Sequence, residues 1–127
     1  MPLAVSIVIP AHNAAATLAR TVASVQAQTH SRWEIVIVEN GSTDDTLRVT
    51  TELAAQDPRI RVSRSDARGV SHARNCGLEL ARHDWVLFLD ADDWILPRHL
   101  AALTSILAAR PLLDAVHCGW RRVSPSG

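Results

Sequence analysis

Short, unbroken apolar runs alternate with stretches of helical spacing along almost the whole 127-residue chain. Residues 4–9 (Ala-Val-Ser-Ile-Val-Ile) read as a first strand that Pro10 should stop. Residues 14–28 follow as a helix, with Leu18, Val22 and Val25 on one face and Asn13 placed as its N-cap. Residues 33–38 (Trp-Glu-Ile-Val-Ile-Val) form a second strand ending at Glu39-Asn40-Gly41. Ser42-Thr43-Asp44-Asp45 has the form of a capping box for a helix that runs to about residue 56, before Asp57-Pro58. The pattern continues with a strand at 60–63, a helix at 70–82, a strand at 85–89 and a helix from Pro97 to Ala109. Pro97 suits a first helical turn. Residues 113–123 are expected to be a last strand despite imperfect alternation, and 124–127 a frayed end or the start of a linker.

Apolar runs without polar alternation suit strands buried on both faces, and strands separated by helices imply right-handed crossovers. The expected fold is therefore α/β: one domain over residues 1–123, with a doubly wound, mostly parallel sheet and helices on both faces. In such a sheet every strand exit lies on one edge, where ligands bind. Three polar clusters follow three apolar strands: Pro10-Ala11-His12-Asn13, Glu39-Asn40-Gly41-Ser42 and Asp90-Ala91-Asp92-Asp93. Each has a plain alternative. His12 suits a surface turn, Asn13 and Ser42 suit caps, Glu39 and Asn40 suit a turn, and Asp93 alone suffices to start a helix. Their convergence on one edge outweighs those separate readings. Two carboxylates one residue apart at a strand exit suit a hard divalent cation, with a substrate diphosphate adding oxygens.

Composition narrows the chemistry. Apolar residues make up 47% and charged residues 20%, and thirteen basic residues balance thirteen acidic ones, which argues against a nucleic-acid or membrane-surface footprint. Every basic residue is an arginine. Without lysine there is no Walker-type phosphate loop and no Schiff-base chemistry. Cys76 and Cys118 lack metal-site spacing and read as reduced, buried thiols. His30, His83, His99 and His117 are expected to be structural, and Trp33, Trp85, Trp94 and Trp120 packing anchors. Met1 leads into a strand pattern without a basic leader, and no apolar run reaches the ~20 residues of a membrane span. A cytoplasmic protein is expected, peripheral at the inner membrane face if the chain is part of a longer enzyme.

Four segments together resemble the N-terminal, nucleotide-sugar-binding half of an inverting family 2 glycosyltransferase with the GT-A fold. They are Val5 through Asn13, Ile37 through Asp44, Gly69-Val70-Ser71-His72-Ala73-Arg74-Asn75-Cys76-Gly77, and Phe88-Leu89-Asp90-Ala91-Asp92-Asp93. The resemblance implies that Pro10, Ala11, His12 and Asn13 lie beside the nucleotide base, with His12 where an aromatic usually packs. It puts Glu39 and Asn40 where the family usually has aspartates, the first of which hydrogen-bonds the base. Glu39 keeps the acceptor on a longer arm. Ser42 joins the nucleotide-sugar site. Arg68 falls near a basic side chain that some members aim at the nucleotide, and Arg74 braces the acidic cluster or contacts the donor.

Asp90 and Asp92 match the family's Asp-x-Asp motif, which makes Asp92 the principal Mg2+ or Mn2+ ligand and puts Asp90 and Ala91 near the ribose and metal. The implied partner is a nucleoside-diphosphate sugar, UDP being favoured, and the implied reaction is inverting transfer to an acceptor hydroxyl. The family's general base lies beyond the stretch matched here and is expected beyond Gly127. The alternative is a non-catalytic nucleotide-sugar-binding module, or a fragment lacking acceptor site and base. An edge or apolar patch left open by truncation is expected to favour a homodimer. Haloacid dehalogenase-like phosphatases also carry Asp-x-Asp, but near the start of the chain and with an assisting lysine that is absent here.

Overall fold

The computed structural model describes residues 2–124. Its elements run β1 (Val5–Ala11), α1 (Leu18–Gln26), β2 (Trp33–Glu39), α2 (Thr46–Gln56), β3 (Ile60–Arg64), α3 (Val70–Leu80), β4 (Trp85–Phe88) and α4 (His99–Ala109). The four strands form one sheet in the order β3-β2-β1-β4. Every pairing is parallel, from Val5↔Trp33 to Ala11↔Glu39 and from Val5↔Trp85 to Val8↔Phe88. The chain thus steps outward from β1 through β2 to β3, then returns past β1 to add β4. That reversal puts a crevice between the exits of β1 and β4.

Both faces of β1 and β2 are covered. On one face Ile7, Ile9, Ile35 and Ile37 pack with Leu18, Val22 and Val25 of α1 and Leu100 of α4, joined by Val49 and Leu53 of α2. On the other face Val36 and Val38 pack with Ala73 and Cys76 of α3. Each fully buried isoleucine stabilises the sheet by roughly 1.5–3 kcal/mol, so this double layer is the main source of stability. Gly77 lets α3 lie close to β1: a Cβ there would sit 2.2 Å from the Val8 side chain. Glu34, inside β2, is buried but saturated by the Ser6 hydroxyl (2.7 Å), the Arg82 N–H (2.8 Å) and Arg61 (3.0 Å).

The sheet extends past the predicted stop, because β1 continues through Pro10. The Val8 carbonyl takes the Leu89 N–H, whereas the Ala11 carbonyl takes the Asn40 N–H on the β2 side. Pro10 therefore directs its missing donor toward β4, whose pairing ends at Phe88, and no ladder bond is lost on the β2 side.

Four other expectations need correction. The first helix begins at Leu18 rather than 14, because Asn13 sits at φ +48°, outside the extended range of an N-cap, and residues 14–17 form a turn. The expected capping box does not form: α2 starts at Thr46, whose N–H bonds Asp44 Oδ1 (2.9 Å), Asp45 at the N-cap position makes no side-chain cap bond, and the Ser42 hydroxyl faces Asn13 instead. The last helix begins two residues after Pro97. Residues 113–123 form no strand; Leu113, Ala115 and Val116 instead line a cavity of about 460 Å³ against β4 and α4. Gly119 and the pair Arg121-Arg122 break the period of two that would hide one face of a strand.

Two packing expectations also fail. Cys118 is exposed and Cys76 only half-buried, both as free thiols. Trp33 is buried beneath Arg59 and Trp85 packs on the core, but Trp120 is 88% exposed and Trp94 lies against Arg20 at the surface. Among the described residues no helix is long and apolar enough to cross a membrane.

Candidate functional site

The exits of β1, β2 and β3 are tied into one platform. The Asn40 carbonyl can only accept, so the His12 ring bonds it through Nδ1–H (2.6 Å), with Nε2 facing the Asn13 amide nitrogen (3.4 Å). Asn13 occupies the left-handed region, where asparagine is tolerated. From there its Oδ1 accepts the Thr43 N–H (2.8 Å), while its own N–H donates to the Ser42 hydroxyl (3.0 Å). Asn40 donates through Nδ2 to the Gly69 carbonyl (3.0 Å), reaching the β3–α3 loop. These bonds tie the three exit loops to one another.

Glu39 closes the β2 exit from beneath. It is 1% exposed. Oε1 accepts the Ser42 N–H (2.6 Å) and Oε2 accepts from Arg64 Nε (3.2 Å). Burial pushes its carboxyl up, but the Ser42 backbone and hydroxyl bonds and the Arg64 pair outweigh that and hold it below the usual range.

The β4 exit has the opposite character. Asp90, Asp92 and Asp93 are all exposed, and one carboxylate oxygen from each lies within 4.8 Å of the others. Arg74 of α3 donates to Asp90 Oδ1 (3.1 Å), the cluster's one ion pair among the described residues. Burial, then the Asp92 and Asp90 charges, push the Asp93 carboxyl up. The Ala91 carbonyl between the first two acids accepts both the Thr17 and Thr21 hydroxyls at 2.8 Å, which fixes the turn to α1. An all-carboxylate, solvent-facing donor set fits a hard divalent cation such as Mg2+ or Mn2+.

Platform and cluster face each other across a cleft of about 1150 Å³. Its lining includes Pro10, Ala11, His12 and Asn13 at the β1 exit, Asn40 at the β2 exit, Arg68 and Arg74 around α3, and Asp90, Ala91 and Asp92 at the β4 exit. Glu39 and Ser42 do not line it. The cleft also takes in Thr17, Thr43, Asp66 and Val70, which sequence reasoning did not single out. Thr17 was hidden by its place in an ordinary helical pattern. Asp66 had a signal, as a lone acid between a strand and the Gly69 turn.

A four-stranded parallel α/β sheet with an acidic turn at its switch point has the GT-A architecture. The chain belongs to glycosyl transferase family 2, whose profile it matches over residues 6–125. It is 34% identical over 120 residues to the uncharacterized glycosyltransferase EpsJ of Bacillus subtilis, covering 94% of this chain and 35% of that one. It is 40% identical over 93 residues to chondroitin synthase of Escherichia coli, covering 73% of this chain and 14% of that one. The chain thus spans about a third or less of the length of these relatives. Among solved structures, residues 1–349 of TarS of S. aureus in complex with UDP superpose with a TM-score of 0.78 at 26% identity, over 86% of this chain and 33% of that one. The mannosyltransferase PcManGT of Pyrobaculum calidifontis, in complex with GDP-Man and Mn2+, gives 0.72 at 25% identity, over 82% of this chain and 32% of that one.

Proposed function

We propose that this chain is the donor-binding portion of a glycosyltransferase, taking a nucleoside-diphosphate sugar along the edge formed by the strand exits. The observation that carries this is the placement of Asp90-Ala91-Asp92 across one cleft from His12, Asn13 and Asn40. Three inter-strand steps separate the exits of β3 and β4, roughly 14 Å, the reach of an extended nucleoside diphosphate. The base lies toward the β2 and β3 exits, where the exposed His12 ring offers a stacking face. Asp92 and Asp90 would hold Mg2+ or Mn2+ at the diphosphate, and the complexes of TarS with UDP and of PcManGT with GDP-Man and Mn2+ support nucleotide and divalent-metal binding by this fold. The cation would offset charge developing on the nucleoside-diphosphate leaving group.

Arg74 holds Asp90, and its buried, unpartnered Nε is a donor left over for a phosphate oxygen. Thr17 and Thr21 position the Asp-Ala-Asp turn. The assignment concerns donor binding, and no residue of this chain is assigned as the base of an inverting transfer. UDP, the nucleotide held by one TarS structure, is the favoured nucleotide and the first probe. Calorimetric titration with UDP, with and without Mn2+, should show metal-dependent binding that Asp92→Ala abolishes. Binding indifferent to both metal and Asp92 would overturn the assignment.

A further inference from the structure

Resting on that donor assignment, we propose that Asp66, and not Glu39, is the carboxylate that reads the nucleobase, selecting bases with a ring N–H (uracil or guanine) over cytosine and adenine. Glu39 is unfit for the task as it stands: it is 1% exposed, lies outside the cleft lining, and has one oxygen on the Ser42 N–H and the other on Arg64. Releasing it would strip the β2 exit of its buried acceptor and leave Ser42 N–H unpaired, a cost on each binding event.

Asp66 has the opposite standing. It follows β3 by two residues, and the neighbouring Ser65 N–H bonds the Glu39 carbonyl (2.9 Å), which places it beside the β2 exit. It is exposed, lines the cleft and has no hydrogen-bond or ion-pair partner among the described residues. Arg68, two residues on, lines the same cleft and is equally unpartnered. The base end therefore offers an acceptor-only group beside a donor-only group.

A carboxylate accepts from uracil N3–H, or from N1–H and the amino group of guanine. It meets a lone pair at N3 of cytosine and N1 of adenine, and is repelled there. Arg68 complements the adjoining carbonyl, O4 of uracil or O6 of guanine. Asn40 also keeps a free Oδ1, its amide nitrogen being tied to Gly69. A neutral amide oxygen discriminates less, since a charge-assisted bond is roughly twice as strong.

The test compares nucleotides of equal ring size, UDP against CDP and GDP against ADP, titrated with Mn2+ into the whole chain. Wild type should prefer UDP to CDP by about 10-fold or more, the discrimination expected of a hydrogen bond to a charged group. Asp66→Asn presents both a donor and an acceptor and should bring the two nucleotides to near-equal affinity. A preference that survives Asp66→Asn, or that collapses in Glu39→Gln instead, overturns the proposal while leaving the donor site standing. Wild type that binds UDP and CDP equally does the same. If no nucleotide binds in the presence of Mn2+, the donor assignment falls and this proposal with it.

Discussion

Two strand exits on one edge carry carboxylates in opposite states. At β2, Glu39 is buried and both its oxygens are committed within the fold. At β4, three aspartates stand exposed with a single arginine against them. The first arrangement is complete without a ligand. The second keeps three like charges together with one arginine to offset them, a surplus that suits an added cation. A carboxylate at a strand exit is thus not a ligand by position alone; burial and partner count decide which of the two it becomes.

The sharpest way to break this contrast is to delete one acid from each exit. Asp92→Ala should cost at least about 100-fold in Mn2+-dependent UDP affinity, since loss of even outer groups around a metal costs 10- to 100-fold. Its melting temperature should stay unchanged or rise slightly, because the substitution relieves repulsion. A large fall in melting temperature without a change in affinity would reverse the roles of the two exits. Glu39→Ala should do the opposite, destabilising the fold by about 1–3 kcal/mol through the unpaired Ser42 N–H. Glu39→Gln, which keeps an acceptor oxygen for Ser42, should cost distinctly less in urea unfolding. Arg64 adds little to this difference, its side chain being 63% exposed.

The contrast can be sharpened at Thr21, a buried residue of α1 that no sequence pattern marks as functional. Its hydroxyl and that of Thr17 converge on the Ala91 carbonyl. Thr21→Val keeps the shape and removes one of these donors, at a cost of about 1 kcal/mol in stability. If the pair positions the acidic turn, UDP affinity should also fall several-fold in Mn2+, while UDP binding measured without metal stays as it was. An equal loss in both conditions would make Thr21 merely structural.

These residues show how far the sequence can be read. The apolar runs of β1 and β2 and the spacing of Leu18, Val22 and Val25 state the sheet and one helix layer directly, because burial on both faces favours apolar residues at most positions. The Asp-Ala-Asp turn is legible for the same reason, as abrupt charge after an apolar strand. What stays hidden depends on contacts distant along the chain. Ser42 and Asn13 have the composition of helix caps, yet they bond each other across 29 positions. Glu39 looks like an exit ligand until Arg64 and Ser42 are seen to consume it. Residues 113–123 look strand-like, but composition does not reveal that they form no strand and that 113–116 line a cavity beside β4.

The smallest effect expected is the pH dependence, and here too the exits differ in sign. Burial raises Glu34 and Glu39, but hydrogen bonds and arginine pairing more than offset it, so both are held below 4.5 in the folded protein. The unfolded chain then binds protons more readily. Their stabilisation is complete above about pH 4.5 and is lost as pH falls through the folded-state values. Asp93 runs the other way: raised above 3.8 by burial and by Asp92 and Asp90, it favours the folded state in acid and opposes it once ionised. Urea titrations of the metal-free protein should therefore show stability falling below pH 4.5, with a shallower fall in Glu39→Gln. Asp93→Asn should be slightly more stable than wild type at pH 7, and that advantage should vanish as the pH drops below about 3.8, where wild-type Asp93 is protonated as well. A constant advantage across that range would mean that the asparagine acts through packing, and that the β4 cluster carries no uncompensated charge for a cation to neutralise.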